Sequence, residues 1–169
     1  MKVSDICSRD IRSCSPDTNL ASVASTMWEQ DCGIVPVVDG QKKVRGVVTD
    51  RDICMAVATR SLLASQITAE QVMNGKAHTC RLNDDVRTAL RTMGENSVRR
   101  LLVLNDAGEL SGMLSLTDAV LASKDSKIAR TGDVTWAEIV PMMGAICRPR
   151  ITEARASAAG RPALAGTHA

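Results

Sequence analysis

The stretch "VRGVVTDRDI", residues 44–53, sets an aliphatic run against four polar residues, Thr49, Asp50, Arg51 and Asp52. The apolar run reads as a buried strand, and the polar group falls at its end. The pattern is no isolated turn, because "LSGMLSLTDAV" at residues 110–120 repeats it. Displacing the sequence against itself by 66 positions brings Ile6–Val57 onto Val72–Ser123 without a gap. Cys14 then meets Cys80, Thr26 and Met27 meet Thr92 and Met93, Glu29 meets Glu95, Val37 meets Val103, Gly46 meets Gly112 and Asp52 meets Asp118. A gapless match of that span means two copies of one unit.

Each copy reads the same way. A short extended piece, Ile11–Cys14 or Ala77–Cys80, precedes apolar residues at helical spacing: Leu20, Val23, Ala24, Met27 and Trp28, then Val86, Ala89, Leu90 and Met93. Asn or Asp stands ready to cap each helix, and the Met and Trp stripes are expected in the core. "GIVPVV" and "RRLLVLN" lead through Gly-containing turns into "VRGVV" and "LSGML", which predicts two hairpins. Pro36 predicts that its strand lies at an edge or is locally irregular. With the helices that follow, the unit is β-α-β-β-α, twice.

These signals divide the chain into copy one (1–65), copy two (66–124), a C-terminal helical extension (125–150) and a tail (151–169). In the extension, Thr135-x-x-Glu138 has the form of a capping box, with Ile139, Met143 and Ile146 at helical spacing behind it. Pro141 is expected to kink or shorten that helix. The tail, rich in Ala, Gly, Arg and Pro, is expected to be disordered.

Composition narrows the function classes. The chain has 169 residues, enough to bury a core without staples. It shows neither a bilayer-length apolar run nor the apolar segment of a secretory signal, so a cytoplasmic location away from membranes is expected. The six cysteines form no Cys-x-x-Cys pair and read as structural thiols, with no metal site expected. A net charge of +2, with Trp28 and Trp136 the only aromatic residues, disfavours nucleic acid. No nucleophile–base pair stands out, and His78 alone makes a weak catalytic candidate, so no enzyme activity is expected.

The polar ends of the two strands carry the chemistry. A strand running directly into a helix aims backbone N–H groups and the positive helix end at one crevice. Thr49 can donate its hydroxyl to a phosphate or ribose oxygen, and Arg51 can grip phosphate with its planar fork. Asp52, an acceptor only, suits a ribose diol. Copy two offers Ser115 and Asp118 in the same places. Thr and Asp are also ordinary N-terminal caps that require no ligand, and both readings stand at this point.

"RGVVTDRDI" and "SGMLSLTDAV", each following a β-α-β unit, resemble tandem cystathionine-β-synthase (CBS) domains, the paired Bateman module. The resemblance covers residues 1–124. It implies an α+β fold in which two repeats pack about a pseudo-twofold axis, with two clefts between them and frequent homodimerisation. It further implies a stand-alone regulator without catalysis that binds AMP, ADP, ATP or S-adenosylmethionine, with Mg²⁺ as an optional companion of the phosphates. No cofactor is required. Thr49 and Asp52 would serve one cleft, and Ser115 and Asp118 the other. Segments around Cys14, Ile34–Pro36, Cys80 and Arg100–Leu102 would line base pockets and phosphate approaches.

The copies differ in charge. Gly33-Ile34 in copy one is replaced by Arg99-Arg100 in copy two, and Arg51 by Thr117, so Arg99 and Arg100 are phosphate candidates. Copy two also has Leu102 where the family commonly has proline, and Asn105 where an acid is frequent, which puts equal occupancy in doubt. The expected function is nucleotide sensing passed to an unidentified protein partner. The alternative is a ligand-free dimerisation scaffold.

Overall fold

The computed structural model describes residues 1–147, and the 66-residue offset is visible in its backbone. Copy one contains α1 (Leu20–Glu29), β1 (Ile34–Val38), β2 (Val44–Thr49) and α2 (Asp50–Arg60). Copy two contains β3 (Thr79–Arg81), α3 (Val86–Asn96), β4 (Arg100–Leu104), β5 (Leu110–Ser115) and α4 (Leu116–Ala122), and α5 (Trp136–Ile146) follows. Both hairpins are antiparallel and both carry an irregularity at matched positions, Val37/Val38 and Val103/Leu104. Their turns also match: Lys42 takes a left-handed conformation (φ 60°) where copy two has Gly108 (φ 73°). The expected tail at 151–169 lies outside the described residues. Among the described residues no helix is long and apolar enough to cross a membrane.

The copies differ at their first strand. Ala77–Cys80 was expected to be extended, and β3 pairs in parallel with β4 there. Ile11–Cys14 was expected to match it, yet copy one keeps only an isolated Cys14–Val37 bridge. In copy two Leu102 N–H donates to the His78 carbonyl at 3.0 Å. Its counterpart Pro36 has no N–H to give, so the pairing stops after one bridge. On the hairpin side Pro36 faces Val47, which turns its own N–H and C=O away to Asn74, so the hairpin tolerates the proline.

The segment leading into each copy crosses to the other copy. Ser8 exchanges backbone bonds with Met113 of β5 (3.0 and 2.9 Å), and Asn74 exchanges them with Val47 of β2 (3.1 and 2.9 Å). The bridges Lys2–Asp85 and Asn19–Thr68 repeat the exchange one step further on. Val3 consequently packs in the core of copy two, and Ile67 and Ala69 in the core of copy one. This crossing explains the matched glycines. A Cβ at Gly46 would lie 2.7 Å from the Asn74 carbonyl oxygen, and one at Gly112 2.7 Å from that of Ser8.

Helix α5 packs on α3 and α4. Ile139 and Ile146 are buried, and Met142 rather than the helically spaced Met143 joins them against the core. The helix runs on to Ile146 past Pro141, which costs one backbone bond but does not end it while both isoleucines are buried. Glu138 accepts from the Thr135 N–H at 2.9 Å and from Arg87 Nε at 2.6 Å, tying the start of α5 to α3. Those bonds, with the guanidinium contributing most, hold its carboxyl down at about 2.

Trp28 departs from its expected core position and is 89% exposed. Its counterpart at the 66-residue offset is Gly94, where an added Cβ would sit 3.3 Å from the Ala145 Cβ of α5. The helical face that α5 covers in copy two is therefore open in copy one, with Trp28 at the equivalent point.

Gly46→Ala and Gly112→Ala should each lower stability by about 1–3 kcal/mol, because the new methyl meets backbone oxygen rather than a movable side chain. Urea unfolding measures this. The Arg87–Glu138 pair contributes in full above the ordinary range of a glutamate carboxyl and is lost progressively as pH falls below it through about 2. Being solvent-screened, it is worth about 0.2–1 kcal/mol. The stability gap between wild type and Glu138→Gln should be open at pH 6 and close toward pH 2 in thermal scans.

Candidate ligand clefts

Both strand-to-helix junctions are built alike. Thr49 N–H and Oγ1–H donate to Asp52 Oδ2 at 2.8 and 2.7 Å, and Asp52 N–H donates back to Thr49 Oγ1 at 3.2 Å. Ser115 and Asp118 reproduce this at 2.7, 2.7 and 3.1 Å. Each pair is thus a closed capping box, and the Thr49 hydroxyl proton expected to reach a phosphate or ribose oxygen is given to Asp52 instead. The capping role that the sequence left open is real, and it uses only one carboxylate oxygen. Oδ1 of Asp52 and of Asp118 takes no part in the box.

Two clefts contain these junctions. The larger, of about 1150 Å³, brings together Thr49, Arg51, Asp52, Arg99, Arg100 and Leu102. The smaller, of about 200 Å³, brings together Ser115, Asp118, Ile34 and Arg100. Ile34 and Arg100, counterparts at the 66-residue offset, line both clefts, which places them between the two. Each cleft joins one copy's strand-to-helix turn to the other copy's strand start. The crossed segments complete the walls, Asn74, Lys76 and His78 in the larger cleft and Ser8, Asp10 and Arg12 in the smaller.

Three expected lining residues are elsewhere. Cys80 is buried in the core of copy two, between the exposed Thr79 and Arg81, because strand side chains alternate. Cys14 packs against the core of copy one, and Pro36 is buried within β1. Burial pushes the Cys14 thiol up to about 11 and the Cys80 thiol up to about 12. All six cysteines are free. Among the described residues no group of three or more His, Cys, Asp or Glu could hold a metal.

Of the lining residues that sequence reasoning missed, Asn74, Lys76, Asp10 and Arg12 lie in the crossed segments, and Asp50, Glu95 and Gln30 lie on or beside the helices. The 66-residue register contained a usable signal, since it sets Lys76 opposite Asp10, a reversal of charge.

The family model of the CBS domain matches residues 3–59 and 69–125. A 17.7 kDa protein from the bps2 3′ region of Acidianus ambivalens is 30% identical over 146 residues, 86% of each chain. A CBS domain protein from Pyrobaculum aerophilum, solved complexed with AMP, is 27% identical with a TM-score of 0.65, covering 76% of this chain and 95% of that one. A CBS domain protein from Thermoplasma acidophilum shares the fold at 20% identity and a TM-score of 0.66, covering 86% of this chain and 75% of that one.

Raised pKa values and burial make Cys14 and Cys80 poor nucleophiles. A colorimetric disulfide reagent at pH 8 should label the exposed Cys54 in the native protein and reach Cys14 and Cys80 only on unfolding. Fast native labelling of either would contradict the burial of Cys80 in its core and the packing of Cys14 against the other.

Proposed function

The chain belongs to the CBS domain family, with two copies in tandem, and from that premise we propose that it is a regulatory module sensing an adenine nucleotide or adenosyl ligand. The observation that carries this is the pair of clefts spanning both copies. A ligand seated between Thr49 and Asp52 on one side and Arg99 and Arg100 on the other touches two packing units at once. It can shift the packing of the copies by its differential affinity for their arrangements. The Asp52 Oδ1 outside the capping box suits a ribose hydroxyl, and the guanidiniums suit phosphate. Support for an adenine ligand comes from the Pyrobaculum relative, solved with AMP.

The output would pass through oligomerisation. The homodimer expected of the family would use the outer face of α1 and α2 with the segment after α2, where Trp28, Met55 and Leu63 are exposed. The matching face of copy two carries α5 on the same chain and is closed to a second copy. A hollow of about 450 Å³ beside Trp28, bordered by the carboxylates of Asp31 and Asp50, would receive the partner's indole and its N–H donor.

AMP at a hundredfold excess over its dissociation constant should stabilise the protein by about 2.7 kcal/mol. Arg100→Ala should remove most of the shift without changing the unliganded midpoint. Thermal unfolding checks both. No shift with AMP, ADP, ATP or S-adenosylmethionine, in folded protein freed of bound nucleotide, would favour the ligand-free scaffold.

A further inference from the structure

The two clefts share one backbone plan but not one charge pattern. Their walls are fixed by the same crossed bridges, Asn74 on Val47 and Ser8 on Met113, so residues two positions further on occupy equivalent points. Those residues are Lys76 in the larger cleft and Asp10 in the smaller. Arg51 and Arg99 add charge to the larger cleft, where their counterparts Thr117 and Gly33 add none to the smaller. The larger cleft thus holds four Lys or Arg side chains against Asp50, Asp52 and Glu95, whereas the smaller holds Arg12 and Arg100 against Asp10 and Asp118.

Size points the same way. Ligand pockets run from about 300 to 1,000 Å³. The larger cleft, at about 1150 Å³, has room for a base, a ribose and a phosphate chain, and the smaller, at about 200 Å³, falls short. Arg100 completes the asymmetry. It lies between the clefts, and its counterpart is the uncharged Ile34, so the position supplies one guanidinium rather than two.

Resting on the nucleotide-sensing function above, we infer that the chain binds one phosphorylated adenine nucleotide, in the larger cleft, with Lys76 as a phosphate-recognising residue and Asp10 excluding phosphate from the smaller. Selectivity for phosphorylated over unphosphorylated adenosine then rests on the basic side chains that differ between the clefts, Lys76 of the connector among them, rather than on the Thr–Asp and Ser–Asp pairs, which both clefts share.

Isothermal titration of the full chain with ADP and with adenosine tests this, comparing wild type with Lys76→Glu. One ADP should bind per chain, and adenosine at least tenfold more weakly. Lys76→Glu should weaken ADP by about ten- to hundredfold, the loss expected for a charge-assisted bond. It should leave adenosine nearly unchanged, which a general structural defect would not. Two equal ADP sites per chain, or equal losses for both ligands, would overturn the inference while leaving nucleotide sensing intact. Binding of neither ligand to folded protein would instead overturn nucleotide sensing itself.

Discussion

The mutual backbone exchange between the copies, Ser8 on β5 and Asn74 on β2, is the constraint on which the rest depends. It demands a residue without a side chain at Gly46 and Gly112, since any Cβ there meets a carbonyl oxygen. It also sends Val3 into the core of copy two and Ile67 into that of copy one. Neither copy completes its own core from its own residues. A duplicated sequence therefore folds as one reciprocal unit, and the clefts arise where each copy's strand-to-helix turn meets the other's connector.

That origin underlies the regulatory role proposed for the clefts. The turn of copy one and the strand start of copy two are separately anchored, each in a different core, and a ligand between them would sense their spacing. The closed capping boxes hold Thr49 and Ser115 with hydrogen bonds of the chain's own, so the junctions are pre-organised. Variation is left to the less constrained side chains on the connectors and strand starts. There copy one and copy two have diverged in charge while keeping their backbone.

Much of the fold was legible because duplication prints every structural requirement twice. The matched glycines, the hairpins and the buried positions of α3 all followed from the 66-residue register. What was not legible came from contacts that the register does not encode. Trp28 looked like core because its spacing is helical, yet the opposite copy has Gly94 there, and only the placement of α5 shows why the two differ. Pro36 signalled irregularity, but the loss of the copy-one strand needed its pairing partner to be known. Cys14 and Cys80 matched each other as cleft residues would, and also as core residues would, and burial decided for the core. Lys76 and Asp10 escaped notice because they lie in connectors: the register sets them opposite each other, and only the crossing puts them in the clefts.

The central claim is that a ligand bridges the two copies through the larger cleft. Backbone amide NMR during titration with AMP tests it most directly, since each residue reports separately. Perturbations grouped at Thr49, Arg51, Lys76 and Arg99 together, from both copies, are the predicted result. No perturbation, or changes confined to the Trp28 face, would contradict it.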